Sequence, residues 1–296
     1  MLKSSAIIPV LLAGLSSKVF GWGDIGHQAV GYIAMEFLNP TATDFVKSTL
    51  GPEYNGSLGV AAAWADSARR TPEYKWSTEL HFVDVEDTPP TSCSVVIDRD
   101  CANNNCILSA IANYTLRLTD DLLSKKDHHE ALKFLSEYIS TFFLGDIGQP
   151  LHAEGEGLGG NKIAVKCDGV LKNLHSVWDD SFINKLVYAQ YQNSTMVWVG
   201  ELVRRIKVCL ISLIPLDTSD VLRQKNKTYS DISRGMECPL IWASESNKID
   251  CSYVWTYSSF DDVCNSSYYE GAITFIELQI AKQGYRLAQW VNGIVG

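Results

Sequence analysis

The chain has 296 residues, 46% of them hydrophobic, which is enough for one large core. A formal net charge of −9 argues against broad electrostatic binding to duplex DNA, so a phosphate ligand would need local cation charge, such as a metal with one or two arginines. Beyond the N-terminus no segment has the length and apolarity of a membrane span; the closest, 206–216, contains Lys207 and Pro215.

In chain order, residues 1–21 have the pattern of a signal peptide. A short basic start (1–3) precedes an apolar run (7–15) too short to span a bilayer, then a cleavage zone (16–21) with Val19 and Gly21 where small residues are favoured. Cleavage after Gly21 makes Trp22 the first mature residue. The leader carries Lys3 and Lys18 and no acid, so its loss leaves a still more acidic chain. Helical periodicity then appears at 24–38, where Ile25, Ala29, Ile33 and Phe37 share a face, and again at 58–70, 107–123, 129–144, 174–187 and 266–291. Turn-forming residues concentrate at 87–105, 155–161 and 217–231, and short strands are expected near 79–85 and 163–167. With no fixed-period repeat or low-complexity linker, the pattern predicts one all-α domain over 22–296 with long disulfide-tied loops.

All eight cysteines follow the leader, an even count that suggests disulfides in a secreted chain. Cys101 and Cys106 enclose a tight polar loop and form the best local pair; Cys251 with Cys264 is a second expectation. Asn55, Asn113, Asn193, Asn226 and Asn265 open Asn-X-Ser/Thr sequons, as in a secreted glycoprotein.

The chemistry-bearing residues are dispersed. His175 and Asp179 are four apart in a helical pattern and share a face, while His152 follows in a Gln-Pro-Leu-His turn. Each has an ordinary alternative: His175 with Asp179 as a surface pair, Asp66 as the ion-pair partner of Arg69, His81 as a hydrogen-bonded core histidine. Asp146 stands at a helix C-terminus, where a carboxylate is disfavoured unless a cation compensates it. Trp22 and His27 follow the cleavage zone, and a freed terminal amine can bind metal. Four of the six histidines belong to this group, and imidazole with carboxylate is the zinc donor set when no thiolate is offered. His128 and His129 lie apart in a charged run.

Six ordered motifs carry a resemblance: Trp22-Gly-Asp-Ile-Gly-His27, Trp64-Ala-Asp66-Ser-Ala-Arg69, Leu80-His81-Phe82-Val83-Asp84, Gly145-Asp146-Ile-Gly-Gln-Pro-Leu-His152, Gly159-Gly-Asn161 and Asn173-Leu-His175-Ser-Val-Trp-Asp179. Together they resemble the S1/P1 nuclease family, secreted zinc-dependent single-strand nucleases, over essentially the whole mature chain. The resemblance implies a multi-helix fold of the phospholipase C/P1 nuclease type with three zinc ions in a cleft. Trp22 and His27 would hold one ion, Asp66 and His81 a second, Asp146 would bridge them, and His152, His175 and Asp179 would hold the third. It also implies cleavage of the bond between the 3′ oxygen and phosphorus in single-stranded RNA and DNA, leaving 5′-phosphates, with removal of 3′-phosphates from nucleotides. Asp66 and Asp146 would act through the metals, Arg69 on the phosphate oxygens, Phe82 by stacking on a base, Asp84 by accepting from a base edge and Asn161 by supporting the cleft. The expected partners are single-stranded nucleic acid or 3′-nucleotides, with no membrane, and the chain is expected to be a monomer.

One position departs from the pattern. The family places a zinc-binding histidine four residues before the bridging aspartate, and here that position is Phe142. A phenyl ring cannot coordinate zinc, so the second of the three sites is the one in doubt. This departure supports a competing expectation, a weakened or silent member that acts by binding. A zinc phospholipase C is a third reading; the His81-Phe-Val-Asp84 and His175-Ser-Val-Trp-Asp179 motifs fit the nuclease branch better.

Overall fold

The computed structural model describes residues 22–62, 71–119, 143–209 and 235–296. The described helices are α1 (Asp24–Met35), α2 (Pro40–Leu50), α3 (Leu58–Ala61), α4 (Ile97–Asp100), α5 (Ile107–Thr119), α6 (Leu144–Asp146), α7 (Leu174–Ser176), α8 (Phe182–Gln190), α9 (Thr195–Cys209), α10 (Glu237–Ser252) and α11 (Ser267–Val295). A π turn, Val177–Ser181, joins α7 to α8 without a break. Among the described residues the regular strands are β1 (Ala164–Cys167) and β2 (Val170–Asn173), a small antiparallel hairpin with Val165 opposite Lys172. The all-α expectation therefore holds.

The centre of the fold is the packing of α1 on α11, with α3 and α9 on the other sides of α1. In α11, Ala272, Ile273, Ile276, Ile280, Leu287 and Val291 are buried at helical spacing. Gly284 is required where the helices cross: a Cβ there would lie 2.5 Å from Ile33 Cγ2 and 3.0 Å from the Val30 carbonyl oxygen. Buried side chains such as Ile33, Ile107, Leu108, Ile111 and Phe182 each contribute roughly 1.5–3 kcal/mol of transfer free energy.

Polar groups fasten this frame to the segment that carries Asp146. Gln279 of α11 donates to the Gly148 carbonyl (2.9 Å) and to Ser246 Oγ (2.9 Å), and Ser246 of α10 donates to the Ile147 carbonyl (2.6 Å). Both side chains lie in the interior, where an unmade hydrogen bond costs about 1–3 kcal/mol. The register of residues 144–148 against α10 and α11 is fixed by these bonds.

Several expectations are corrected. No strand forms over 79–85: Lys75–His81 is a 3-10 helix, and extended backbone begins at Phe82. The alternation in that stretch is real, with Val83 and Val85 buried, but the segment's contacts run to a loop and not to a sheet. The Cys101–Cys106 pair forms as expected, whereas Cys251 bonds Cys93 and Cys264 bonds Cys167. The end of α10 carries Cys251 back to the loop after Pro90, and Cys264 lies beside β1, where Val263 N donates to the Lys166 carbonyl. The helix expected over 58–70 is described only at its start, and that over 129–144 only at its end. No described helix is long and apolar enough to cross a membrane.

The Cys93–Cys251 bond spans 158 residues of sequence. Its removal in a Cys93→Ala, Cys251→Ala double variant is expected to destabilise the protein by about 2–5 kcal/mol in chemical denaturation. A loss below ~0.5 kcal/mol would show that the loop is held by other contacts.

Candidate metal centre

The site is assembled where four short segments meet. Trp22, fully buried, donates from its indole nitrogen to the Gly145 carbonyl (2.8 Å), and Gly23 N donates to the Asp179 carbonyl (3.0 Å). The start of α1 is thereby held between Asp146 and Asp179. His27, one turn into α1, reaches Asp146: Nε2 lies 3.3 Å from Oδ1. Gly145 makes room for that imidazole, since a Cβ there would lie 3.1 Å from His27 Nδ1.

His81 ends the 3-10 helix and places Nδ1 3.0 Å from Asp146 Oδ2. Asp146 therefore has an imidazole on each oxygen. Burial alone would raise its pKa, but the His152 and His27 charges and the hydrogen bonds from His27 and His81 hold it well below 3.8. A two-way clip ties this half to the next: His152 Nδ1 donates to the His81 carbonyl (2.9 Å), and Val83 N donates to the His152 carbonyl (2.8 Å).

His152, His175 and Asp179 form the second group, all buried, with ligand atoms within 4.8 Å of one another. His175 comes from α7 and Asp179 from the π turn, so the extra turn residue sets the carboxylate against the imidazole: Oδ2 lies 3.1 Å from His175 Nε2. His175 Nδ1 donates to the Gly159 carbonyl (2.5 Å). Gly159 has φ +55°, and a Cβ there would lie 2.4 Å from the Leu151 carbonyl oxygen, so this turn demands glycine.

These bonds decide the tautomers. A carbonyl only accepts, so both Nδ1 atoms of His152 and His175 carry hydrogen. In the neutral rings both Nε2 lone pairs then face each other 3.1 Å apart, with Asp179 beside them. Two lone pairs and a carboxylate converging in a dry pocket repel unless a cation or proton sits between them. Asp179 Oδ2 has no hydrogen-bond partner, and burial pushes the acid up to about 7 against the lowering effect of His175 and Gln149. The donor set, and the carbonyl-anchored Nδ1–H groups behind it, fit a zinc-type ion.

Of the other expected residues, Phe82 is part-exposed and Asp84 exposed, on extended chain with Val83 and Val85 turned inward. Burial of part of the Asp84 carboxyl, with Glu79 and Glu86 nearby, raises its pKa. Asn161 is 6% exposed; its Nδ2 donates to the Leu158 carbonyl (2.9 Å) and its Oδ1 has no hydrogen-bond partner. Asp66, Arg69, Phe142, His128 and His129 lie outside the described residues. A third described group, Cys167, Asp168 and Cys264, has metal-like spacing, but its cysteines are joined in a disulfide.

Sequence reasoning missed Gln149. It is fully buried, donates to Asp179 Oδ1 (2.7 Å) and accepts from Leu151 N (2.6 Å), so it orients the carboxylate from behind. Its signal was its place between Asp146 and His152, where a polar side chain in a buried turn needs a partner. Gln149→Leu is expected to weaken metal affinity about 10–100-fold in a chelator competition titration, with the protein still folded. Unchanged affinity would remove the orienting role.

The sequence profile described as S1/P1 Nuclease matches residues 22–296. The chain is 39% identical over 280 residues to Nuclease PA3 of a Penicillium species, covering 93% of this chain and 98% of that protein. It is 39% identical over 283 residues to Nuclease P1 of Penicillium citrinum, with 93% and 98% covered. It is 34% identical over 292 residues to Nuclease S1 of Aspergillus oryzae, with 97% and 96% covered.

Proposed function

Because the chain belongs to the S1/P1 nuclease family, we propose that it is a secreted zinc-dependent endonuclease that hydrolyses single-stranded RNA and DNA to 5′-phosphate products and also removes 3′-phosphates from nucleotides. The observation that carries this reading is the convergence of His152, His175 and Asp179 beside Asp146, His27 and His81, with ring tautomers set to present lone pairs inward.

In this reading Trp22, through the amine freed after Gly21, would join His27 at one ion. Asp66 and His81 would hold a second, Asp146 would bridge, and His152, His175 and Asp179 would hold a third. Zinc would supply Lewis-acid stabilisation of phosphate charge and a water acidified towards neutral pH. The protein's own groups do the remainder. Arg69 would neutralise the equatorial phosphate oxygens. Phe82 would stack on a base and Asp84 would accept from that base's edge. Stacking tolerates every base but needs it unpaired, which gives single-strand preference without sequence readout. Asn161, buried and bonded to the Leu158 carbonyl, would support the cleft from within. The acidic chain fits a substrate gripped locally and not along a basic surface.

Secretion is supported by the leader pattern, by three disulfides among the described residues, and by the exposure of the four described sequon asparagines, Asn55, Asn113, Asn193 and Asn265. The second reading, a weakened or silent member, rests on Phe142 alone.

A zymogram with denatured DNA and with RNA is expected to clear at the protein's band, to stay uncleared after chelation, and to clear again with added zinc. A band that never clears with zinc present favours the silent reading. His175→Ala is expected to lower kcat/KM by about 10²–10³-fold, and Phe82→Ala to act mainly on KM, by ~1–3 kcal/mol per stacked base. For the departure, Phe142→His is expected to raise both zinc content and activity. If neither rises, Phe142 does not limit the enzyme.

A further inference from the structure

Behind the base-binding edge the interior holds a second set of acids that the phosphodiester chemistry does not use. Asp250 and Asn247, one turn apart on α10, are both 0% exposed, and Glu154 is 1% exposed. Asn247 Nδ2 donates to Asp87 Oδ2 (3.0 Å) and to the Ala153 carbonyl (3.0 Å). Two acceptors on the nitrogen fix the amide orientation, so its oxygen faces elsewhere. Asp87 Oδ2 also accepts from Ser94 N (2.9 Å). Asn247 Oδ1, Asp87 Oδ1, Glu154 Oε2 and both oxygens of Asp250 remain buried without a hydrogen-bond partner.

The charged groups acting on Asp250 are Glu154 and Asp87, both acids. Burial, then their repulsion, drives the Asp250 carboxyl well above its usual value of 3.8. The Trp255 indole lies beside Asp250 and opposes that rise, but its nitrogen falls short of full hydrogen-bond geometry and burial with the acids outweighs it. Glu154 Oε1 accepts from Glu156 N (2.8 Å), so each of Glu154 and Asp87 has one satisfied oxygen and one buried oxygen left over, and Asp250 has two. Three neighbouring acids with such oxygens need positive charge or protons. A proton on Asp250 would satisfy one neighbouring oxygen and leave the others facing it. A divalent cation would satisfy several at once.

The donors are all oxygen, with no imidazole or thiolate, which selects a hard cation and disfavours zinc. The carboxylates do not close to the tight spacing of His152, His175 and Asp179. A site completed by water suits the loose shell of six to eight oxygens that calcium takes at about 2.3–2.6 Å. We propose that Asp250, Glu154, Asp87 and Asn247 form a calcium site, built from side chains that the zinc reading leaves unused. It would join α10 to the Phe82–Asp87 stretch and to the turn after His152, and so stiffen the edge that presents Phe82 and Asp84.

The test uses the secreted protein with zinc held constant in calcium-free buffer, titrated with calcium chloride while melting is followed. Tm is expected to rise by about 5 °C or more at saturation, with one calcium per chain retained through gel filtration and read by elemental analysis. Asp250→Asn is expected to lose the calcium-dependent rise and to melt, without calcium, no lower than the wild type, because it removes a buried charge at constant shape. Absence of retained calcium in the wild type would overturn the proposal, as would an equal rise in Asp250→Asn or an equal rise with magnesium. Should Asp250→Asn not fold, Glu154→Gln is read in its place by the same outcomes, and the wild-type calcium content decides independently of both.

Discussion

A carboxylate cannot sit fully buried without compensation, and this fold buries two within one site. Asp146 is compensated by His27 and His81, one imidazole on each oxygen. Asp179 has Gln149 on one oxygen and His175 near the other. Transfer of an isolated ion to such an interior costs several kcal/mol even after relaxation. The surrounding architecture reads as the means of holding compensating groups in place: Trp22 and Gly23 clamp the start of α1 between the two acids, and Gln279 and Ser246 fix the turn after Asp146. The two acids respond oppositely. Imidazoles on both oxygens keep Asp146 strongly acidic, while burial wins at Asp179 until further positive charge arrives.

Much of this was legible in the sequence because the periodic helices are amphipathic. The stretches beginning at Asp24, Ile107 and Ser267 bury the faces their spacing marks. The ligand candidates were legible because histidine is scarce here and most of it falls in motifs beside aspartate, glycine and tryptophan. Glu237–Ser252 was not legible, since it buries Ser246, Asn247 and Asp250 and so breaks the apolar repeat. Pro40–Leu50 was missed despite a visible cue: Asn39 accepts from Ala42 N and Pro40 opens the helix.

Other features depend on tertiary context. Disulfide partners are chosen by where loops end in space, so the short spacing of Cys251 and Cys264 gave the wrong pair. The π turn that aims Asp179 leaves no local mark beyond the four-residue spacing of His175 and Asp179. Gln149 and Glu154 become informative only once their burial is known. The segment 82–85 shows how a correct pattern can mislead: inward Val83 and Val85 alternate as in a strand, yet the partner is the His152–Gly155 stretch, joined by isolated bonds. That arrangement leaves Phe82 part-exposed and Asp84 exposed while Val83 and Val85 face inward.

The account turns on cations occupying the lone-pair cluster that the imidazoles create. Diffraction from crystals of the protein expressed with its leader, collected above and below the zinc absorption edge, measures this most directly. The account predicts anomalous peaks between His152, His175 and Asp179 and beside Asp146 within bonding distance of His27, with the chain beginning at Trp22. Maps without zinc at the His152–His175–Asp179 cluster, in protein that still cleaves single-stranded nucleic acid, would contradict it.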